Sequence, residues 1–155
     1  MKGLIVFYTR TNRTKKIAEL IAKETNFELE EIIDNKKRKG IIGYLKAGRD
    51  AIQENLTTIN EIVKNPGAYD LVVIGTPIWG KRMTPAIRTY ITQNKNKFKK
   101  VAFFCTEGKK GGSETFEYMK KLCEKTPLST LELNRREMKE GLHVDKIKKF
   151  IHDLK

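Results

Sequence analysis

Six consecutive residues early in the chain, Thr9-Arg10-Thr11-Asn12-Arg13-Thr14, combine three hydroxyls with two guanidinium groups, and no acid precedes Glu19. Oriented donors, positive charge and no competing anion are what a phosphate group needs, above all where a helix begins and its first N–H groups are free. A helix cap alone accounts for one hydroxyl, not for three at alternate spacing beside two arginines. Two further segments carry chemistry. Gly75-Thr76-Pro77-Ile78-Trp79-Gly80 places the only tryptophan of the chain, a large flat π surface, on an excursion tightened by proline and glycine. Thr106-Glu107-Gly108-Lys109-Lys110-Gly111-Gly112 is rich in glycine and leads into a helix at Ser113, leaving backbone amides exposed as donors.

The elements around these segments alternate. Apolar runs at Gly3 to Tyr8, Glu28 to Ile33, Asp70 to Gly75, Val101 to Cys105 and Ser129 to Leu133 read as five strands separated by helical patterns, the signature of βαβ units and a parallel sheet. The first, third and fourth are nearly continuous in apolar residues (Leu4-Ile5-Val6-Phe7; Leu71-Val72-Val73-Ile74; Val101-Ala102-Phe103-Phe104), as strands covered on both faces should be. They form the centre of the sheet. Apolar stripes at Ile17, Leu20 and Ile21, at Ile87, Tyr90 and Ile91, at Phe116, Met119, Leu122 and Cys123, and at Ile147, Phe150, Ile151 and Leu154 mark helices. Thr84-Pro85 predicts a helix start, with a hydroxyl N-cap before a proline at the first helical position. The segment Lys36 to Leu56 predicts a basic loop followed by a helix with Ile41, Leu45, Gly48 and Ile52 on one face. In an open parallel sheet, ligands bind beyond the carboxyl ends of the strands, and the three chemistry-bearing segments follow strands one, three and four.

With these three loops in one five-strand pattern, the sequence resembles the flavodoxin family along nearly its whole length. Flavodoxins carry Ser/Thr-x-Thr-Gly-Asn-Thr after the first strand. Thr9 to Thr14 matches the hydroxyl positions, with Asn12 in place of the glycine and Arg13 in place of the asparagine. Asparagine tolerates a left-handed backbone, and an arginine replaces a neutral donor with a charged one. The resemblance implies a flavodoxin-like doubly wound α/β fold with strand order 2-1-3-4-5, one domain over residues 1–155, and non-covalent FMN as cofactor. It further implies a cofactor site of Thr9, Arg10, Thr11, Asn12, Arg13 and Thr14 at the phosphate, Thr76, Pro77, Ile78, Trp79 and Gly80 beside the ring, and Thr106, Glu107, Gly108, Gly111 and Gly112 at the pyrimidine edge. An electron carrier is the first expectation, a small FMN-dependent NAD(P)H:quinone-type oxidoreductase the alternative. No separate dinucleotide fingerprint is present, which favours the carrier.

Composition narrows the field. The 155 residues suffice for one domain with a sheet covered on both faces. No apolar run reaches membrane-spanning length, and Leu4 to Phe7 is too short for a signal-peptide core, so a cytoplasmic protein is expected. Cys105 and Cys123 lie outside metal or Cys-x-x-Cys spacing and read as buried thiols. Neither His143 nor His152 has partners for a catalytic triad or a metal site. The acidic pair that response regulators of this fold need after strand one is replaced by Thr9 and Arg10, and no Gly-x-x-x-x-Gly-Lys-Ser/Thr occurs. A formal charge of +13 raises nucleic acid as a partner for a flavin-free module. The basic residues alternate with core positions and carry no interleaved aromatic platform, which argues against it. Arg10, Arg13, Lys15, Lys16, Lys81, Arg82, Lys109 and Lys110 instead predict a basic rim around the cofactor, opposed only by Glu107. Such a rim suits an acidic redox partner, such as a ferredoxin-like protein, or the phosphates of NAD(P)H.

Overall fold

The computed structural model describes residues 1–36, 40–108 and 110–155, with the backbone alone at residues 40–42 and 44. Five strands, β1 (Gly3–Phe7), β2 (Glu28–Glu31), β3 (Leu71–Pro77), β4 (Lys100–Glu107) and β5 (Thr130–Asn134), form one parallel sheet in the order β2-β1-β3-β4-β5. This is the predicted order. The helices are α1 (Arg13–Thr25), α2 (Gly40–Ile52), α3 (Pro85–Asn94), α4 (Gly112–Cys123), α5 (Arg135–Lys139) and α6 (His143–His152).

Alternation along the central strands sends successive side chains to opposite faces, and each face has its own core. Leu4, Val6, Val72, Ile74, Val101 and Phe103 pack with Ile87, Tyr90 and Ile91 of α3 and Met119 and Cys123 of α4. Ile5, Phe7, Val73, Ala102, Phe104, Leu131 and Leu133 pack with Ile17, Ala18 and Ile21 of α1 and Ile147 and Phe150 of α6. The helix after β1 thus covers one face and the helix after β3 the other. Between neighbouring strands whose connections diverge in this way, a crevice opens at their carboxyl ends.

Both thiols are free and buried, as expected, and burial pushes Cys105 well above its ordinary pKa and Cys123 to about 12. Strands three and four run two residues further than the sequence pattern indicated, through Pro77 and Glu107, because the register pairs Pro77 with Thr106. Thr84 stands at the N-cap of α3 as predicted, but its hydroxyl does not cap. The Thr76 hydroxyl competes for it at 3.3 Å and also accepts from the Thr84 N–H at 3.1 Å. No described helix is long and apolar enough to cross a membrane.

Helix α2 departs most from its sequence reading. Its buried positions are Gly43, Ala47, Asp50 and Ala51, while Leu45 and Ile52, from the predicted apolar face, are 65% and 59% exposed. Small residues face the protein because α2 lies close against it. Its carboxyl end is anchored: Glu54 meets Arg82 at 3.4 Å and Arg88 at 3.8 Å. The predicted positions Lys37 to Lys39 and the side chain of Ile41 lie outside the described residues, as does Lys109.

Candidate functional site

A cavity of about 550 Å³ opens at the carboxyl ends of the strands, within the size range of small-molecule sites. Its wall takes Arg10, Thr11, Arg13 and Thr14 from the first loop, Pro77, Ile78, Trp79 and Gly80 from the second, and Thr106, Glu107 and Gly108 from the third. The sheet brings together the three segments that the sequence singled out. Among the described residues, six further lining residues were not among the predicted site residues: Leu45, Ala47, Gly48, Arg49 and Ile52 of α2, and Arg135 at the start of α5.

The first loop is built around Asn12, which adopts the left-handed conformation (φ 63°) anticipated for it and stands at the N-cap of α1. Its side chain makes no capping bond, and the first turn of α1 contains no acid. The opening N–H groups of a 13-residue helix are therefore left without the usual side-chain acceptor, which is the arrangement that binds anions. The Thr9 hydroxyl is buried with no hydrogen-bond partner. A buried hydroxyl in this condition is rare in folded proteins. Arg13 has no acidic partner among the described residues, and burial, then Arg135, then Arg10 hold its guanidinium below the ordinary arginine pKa. Thr14, almost wholly buried, shares a 2.8 Å hydroxyl contact with Thr106, tying the helix start to the end of β4.

The second loop turns sharply. Trp79 and Arg82 exchange backbone hydrogen bonds of 3.0 and 3.1 Å, and the two residues between them, Gly80 and Lys81, both have positive φ (57° and 61°). That is the geometry of a two-residue hairpin turn with both central residues left-handed. Trp79 is half-buried and packs edge-on against Tyr8 at 5.6 Å between ring centroids, so its indole is held at the cavity wall.

The third loop contains a surprise in its carboxylate. Glu107 is buried beside the Glu132 carboxyl of β5, and its Oε2 has no hydrogen-bond partner among the described residues. Desolvation first, then the neighbouring Glu132 carboxyl and the charge of Glu137 push its pKa up to about 8, against a smaller pull from Lys146. The direction of this shift favours the protonated form of Glu107 and weakens its role as an opposing charge. Glu132 in turn accepts the Gly112 N–H at 3.1 Å. A β-carbon on Gly112 would overlap that carboxyl, so the glycine permits the approach.

Five predicted site residues stand outside the cavity wall: Thr9, Asn12, Thr76, Gly111 and Gly112. Asn12 shapes the loop through its left-handed backbone at the N-cap of α1, and Thr9 precedes it with its hydroxyl buried. The Thr76 hydroxyl is spent on Pro77 O at 2.8 Å and on Thr84. Gly111 carries the backbone into α4 at φ 133°, and the Gly112 amide is committed to Glu132. The predicted rim also needs correction, because acids from other elements neutralise part of it. Lys15 pairs with Glu31 at 3.2 Å, Lys81 with Glu114 at 3.3 Å, and Arg82 with Glu54 while its guanidinium lies 3.6 Å from the Tyr118 ring centre. Among the described residues the positive charge on the cavity wall comes from Arg10, Arg13, Arg49 and Arg135, with Arg49 lying 3.9 Å from the Asp50 carboxylate.

Comparison with known proteins agrees with this geometry. A flavoprotein from Lactobacillus acidophilus, whose crystal structure contains FMN, is 25% identical, with a TM-score of 0.73 over 90% of this chain and 97% of its own. Flavodoxin 2 from Bacillus cereus is 20% identical, with a TM-score of 0.60 over 99% and 97%. An NADH:FMN oxidoreductase in its apo form shares the fold at 9% identity, with a TM-score of 0.56 over 99% and 86%. No curated protein sequence matches the chain. The sequence model of the flavodoxin domain matches residues 39–141, two of the three cavity loops and α2 included, and the chain belongs to that family.

Proposed function

We propose that the cavity holds FMN non-covalently and that the protein passes electrons through it between redox partners. The observation that carries this reading is the polarity of one cavity: an uncapped, acid-free helix start with Arg13 at one part of its wall, and Pro77, Ile78 and the Trp79 indole at another. A phosphate monoester joined to a flat aromatic system matches both. Arg10, Thr11, Arg13 and Thr14 would hold the phosphate, with the orphaned Thr9 hydroxyl behind them. Trp79 and Ile78 would flank the ring, and Glu107, whose raised pKa favours the protonated form, would offer hydrogen bonding with little repulsion of an anionic cofactor. Bound FMN would supply the redox chemistry, while this chain's residues bind it, orient it and set the surrounding field. The visible spectrum of the purified protein tests the reading. Flavin bands retained on purification, or a saturable spectral shift on adding FMN, support it, and no binding at micromolar FMN removes it.

A specific observation favours a second reading, that of an FMN-dependent NAD(P)H:quinone-type oxidoreductase. Leu45 and Ile52 line the cavity from α2 and yet stay more than half exposed, an apolar lip suited to a flat, greasy acceptor. Steady oxidation of NADH or NADPH with a soluble quinone would establish it. Reduction by another redox protein, with no turnover of either nucleotide, leaves the carrier.

A further inference from the structure

Among the described residues, Arg135 is the one cationic residue of the cavity wall that comes from the far edge of the sheet. It follows Asn134, the last residue of β5, at a fixed joint. Asn134 Oδ1 accepts the Glu137 N–H and Glu137 Oε2 accepts the Asn134 N–H, both at 2.9 Å, which sets the chain direction where Arg135 leaves the strand. Its neighbour Arg136 turns away to a 2.8 Å ion pair with Glu140. Arg135 itself has no acidic partner among the described residues, nor has Arg13, although both line the same cavity and the charge of Arg135 disfavours that of Arg13. Two guanidiniums that line one cleft without acidic partners repel, and an anionic ligand in that cleft relieves the repulsion. The loop of Thr9 to Thr14 already supplies neutral donors and the helix start, so the second guanidinium adds charge rather than reach.

We propose that Arg13 and Arg135 form a two-sided clamp for a phosphate monoester dianion, and that Arg135 makes the site select a phosphorylated flavin over the unphosphorylated one. The proposal rests on the FMN reading for the identity of the ligand, but not for the existence of an anion site.

The experiment compares wild-type protein with Arg135→Gln, Arg135→Lys and the control Arg136→Gln, which removes a charge one residue away from an exposed ion pair. Dissociation constants for FMN and for riboflavin are measured by fluorescence titration, and thermal stability with and without inorganic phosphate at tens of millimolar. Arg135→Gln should weaken FMN roughly ten- to a hundred-fold and leave riboflavin unchanged, the loss expected for one charged hydrogen-bonding group. Arg135→Lys should fall between, since an ammonium keeps the charge without the fork. Arg136→Gln should bind both flavins as the wild type does. Unchanged FMN affinity in Arg135→Gln, or equal losses for FMN and riboflavin, overturns the clamp. If the wild type binds no flavin but is stabilised by phosphate, and Arg135→Gln is not, the clamp stands and the FMN reading falls. No flavin binding and no phosphate stabilisation would remove both.

Discussion

Ile52 of α2 occupies the space that a β-carbon on Gly80 would need. The hairpin tip after β3 and the end of α2 therefore meet at a point where only glycine fits, and Gly80 is needed a second time for its left-handed φ of 57°. This contact closes one side of the cavity. Gly80→Ala should cost about 1–3 kcal/mol of stability in urea denaturation, from backbone strain and overpacking together. Adding Ile52→Ala should recover the overpacking part and leave the strain. If the double variant is no more stable than Gly80→Ala alone, α2 does not bear on the hairpin.

The Thr14–Thr106 hydroxyl contact gives a second test, at the join between the phosphate loop and β4. Both groups are buried. Replacing one by valine strands the other hydroxyl and should cost about 1–2 kcal/mol, whereas replacing both removes the need for a partner and should cost less than the sum of the single changes. Simple additivity in a double-mutant cycle would mean that the hydroxyls do not depend on each other.

Much of this was legible in the sequence, and what was not has a common cause. The central position of β1, β3 and β4 and the meeting of three loops follow from apolar runs and from where each loop leaves its strand, and the strand order from the resemblance to flavodoxins. The left-handed Asn12 follows from residue type. Arg135 and the Glu107–Glu132 pair do not, because each depends on the register between β4 and β5, which pairs Cys105 with Glu132 and Glu107 with Asn134. A slip of one residue would send these side chains to the opposite face. The role of α2 was hidden for another reason. A helix face lining a cleft carries the same apolar stripe as one buried in a core, and the clue was that Gly43, Ala47 and Ala51, the small residues of the other face, pack inward. The partial neutralisation of the rim was likewise invisible, since Glu31, Glu54 and Glu114 come from distant elements.

Glu107 makes stability depend on pH in a definite direction. Its carboxyl titrates near 4.5 when free and near 8 in the folded protein, raised by burial, by Glu132 and by Glu137 against Lys146. Between those values the unfolded chain releases the proton that the folded chain keeps, so the contribution of Glu107 to stability is fully present below about 4.5 and lost as pH rises through about 8. Glu107→Gln keeps a donor for Glu132 and cannot ionise. Relative to wild type the variant should gain about 1 kcal/mol or more between pH 5 and pH 8 in urea denaturation of the cofactor-free protein. An equal difference at both pH values would show that Glu107 is ionised throughout.

The most direct measurement of the central claim follows the fluorescence of Trp79, the only tryptophan of the chain, as FMN is added to cofactor-free protein. Its indole is held on the cavity wall by Tyr8, so a flavin bound in the cavity lies within quenching distance. Strong, saturable quenching at micromolar FMN or below, weakened about ten- to a hundred-fold by Arg13→Ala while riboflavin binding is unchanged, is the predicted result. Emission that stays unchanged at saturating FMN, or an equal loss of affinity for FMN and riboflavin in Arg13→Ala, would contradict it.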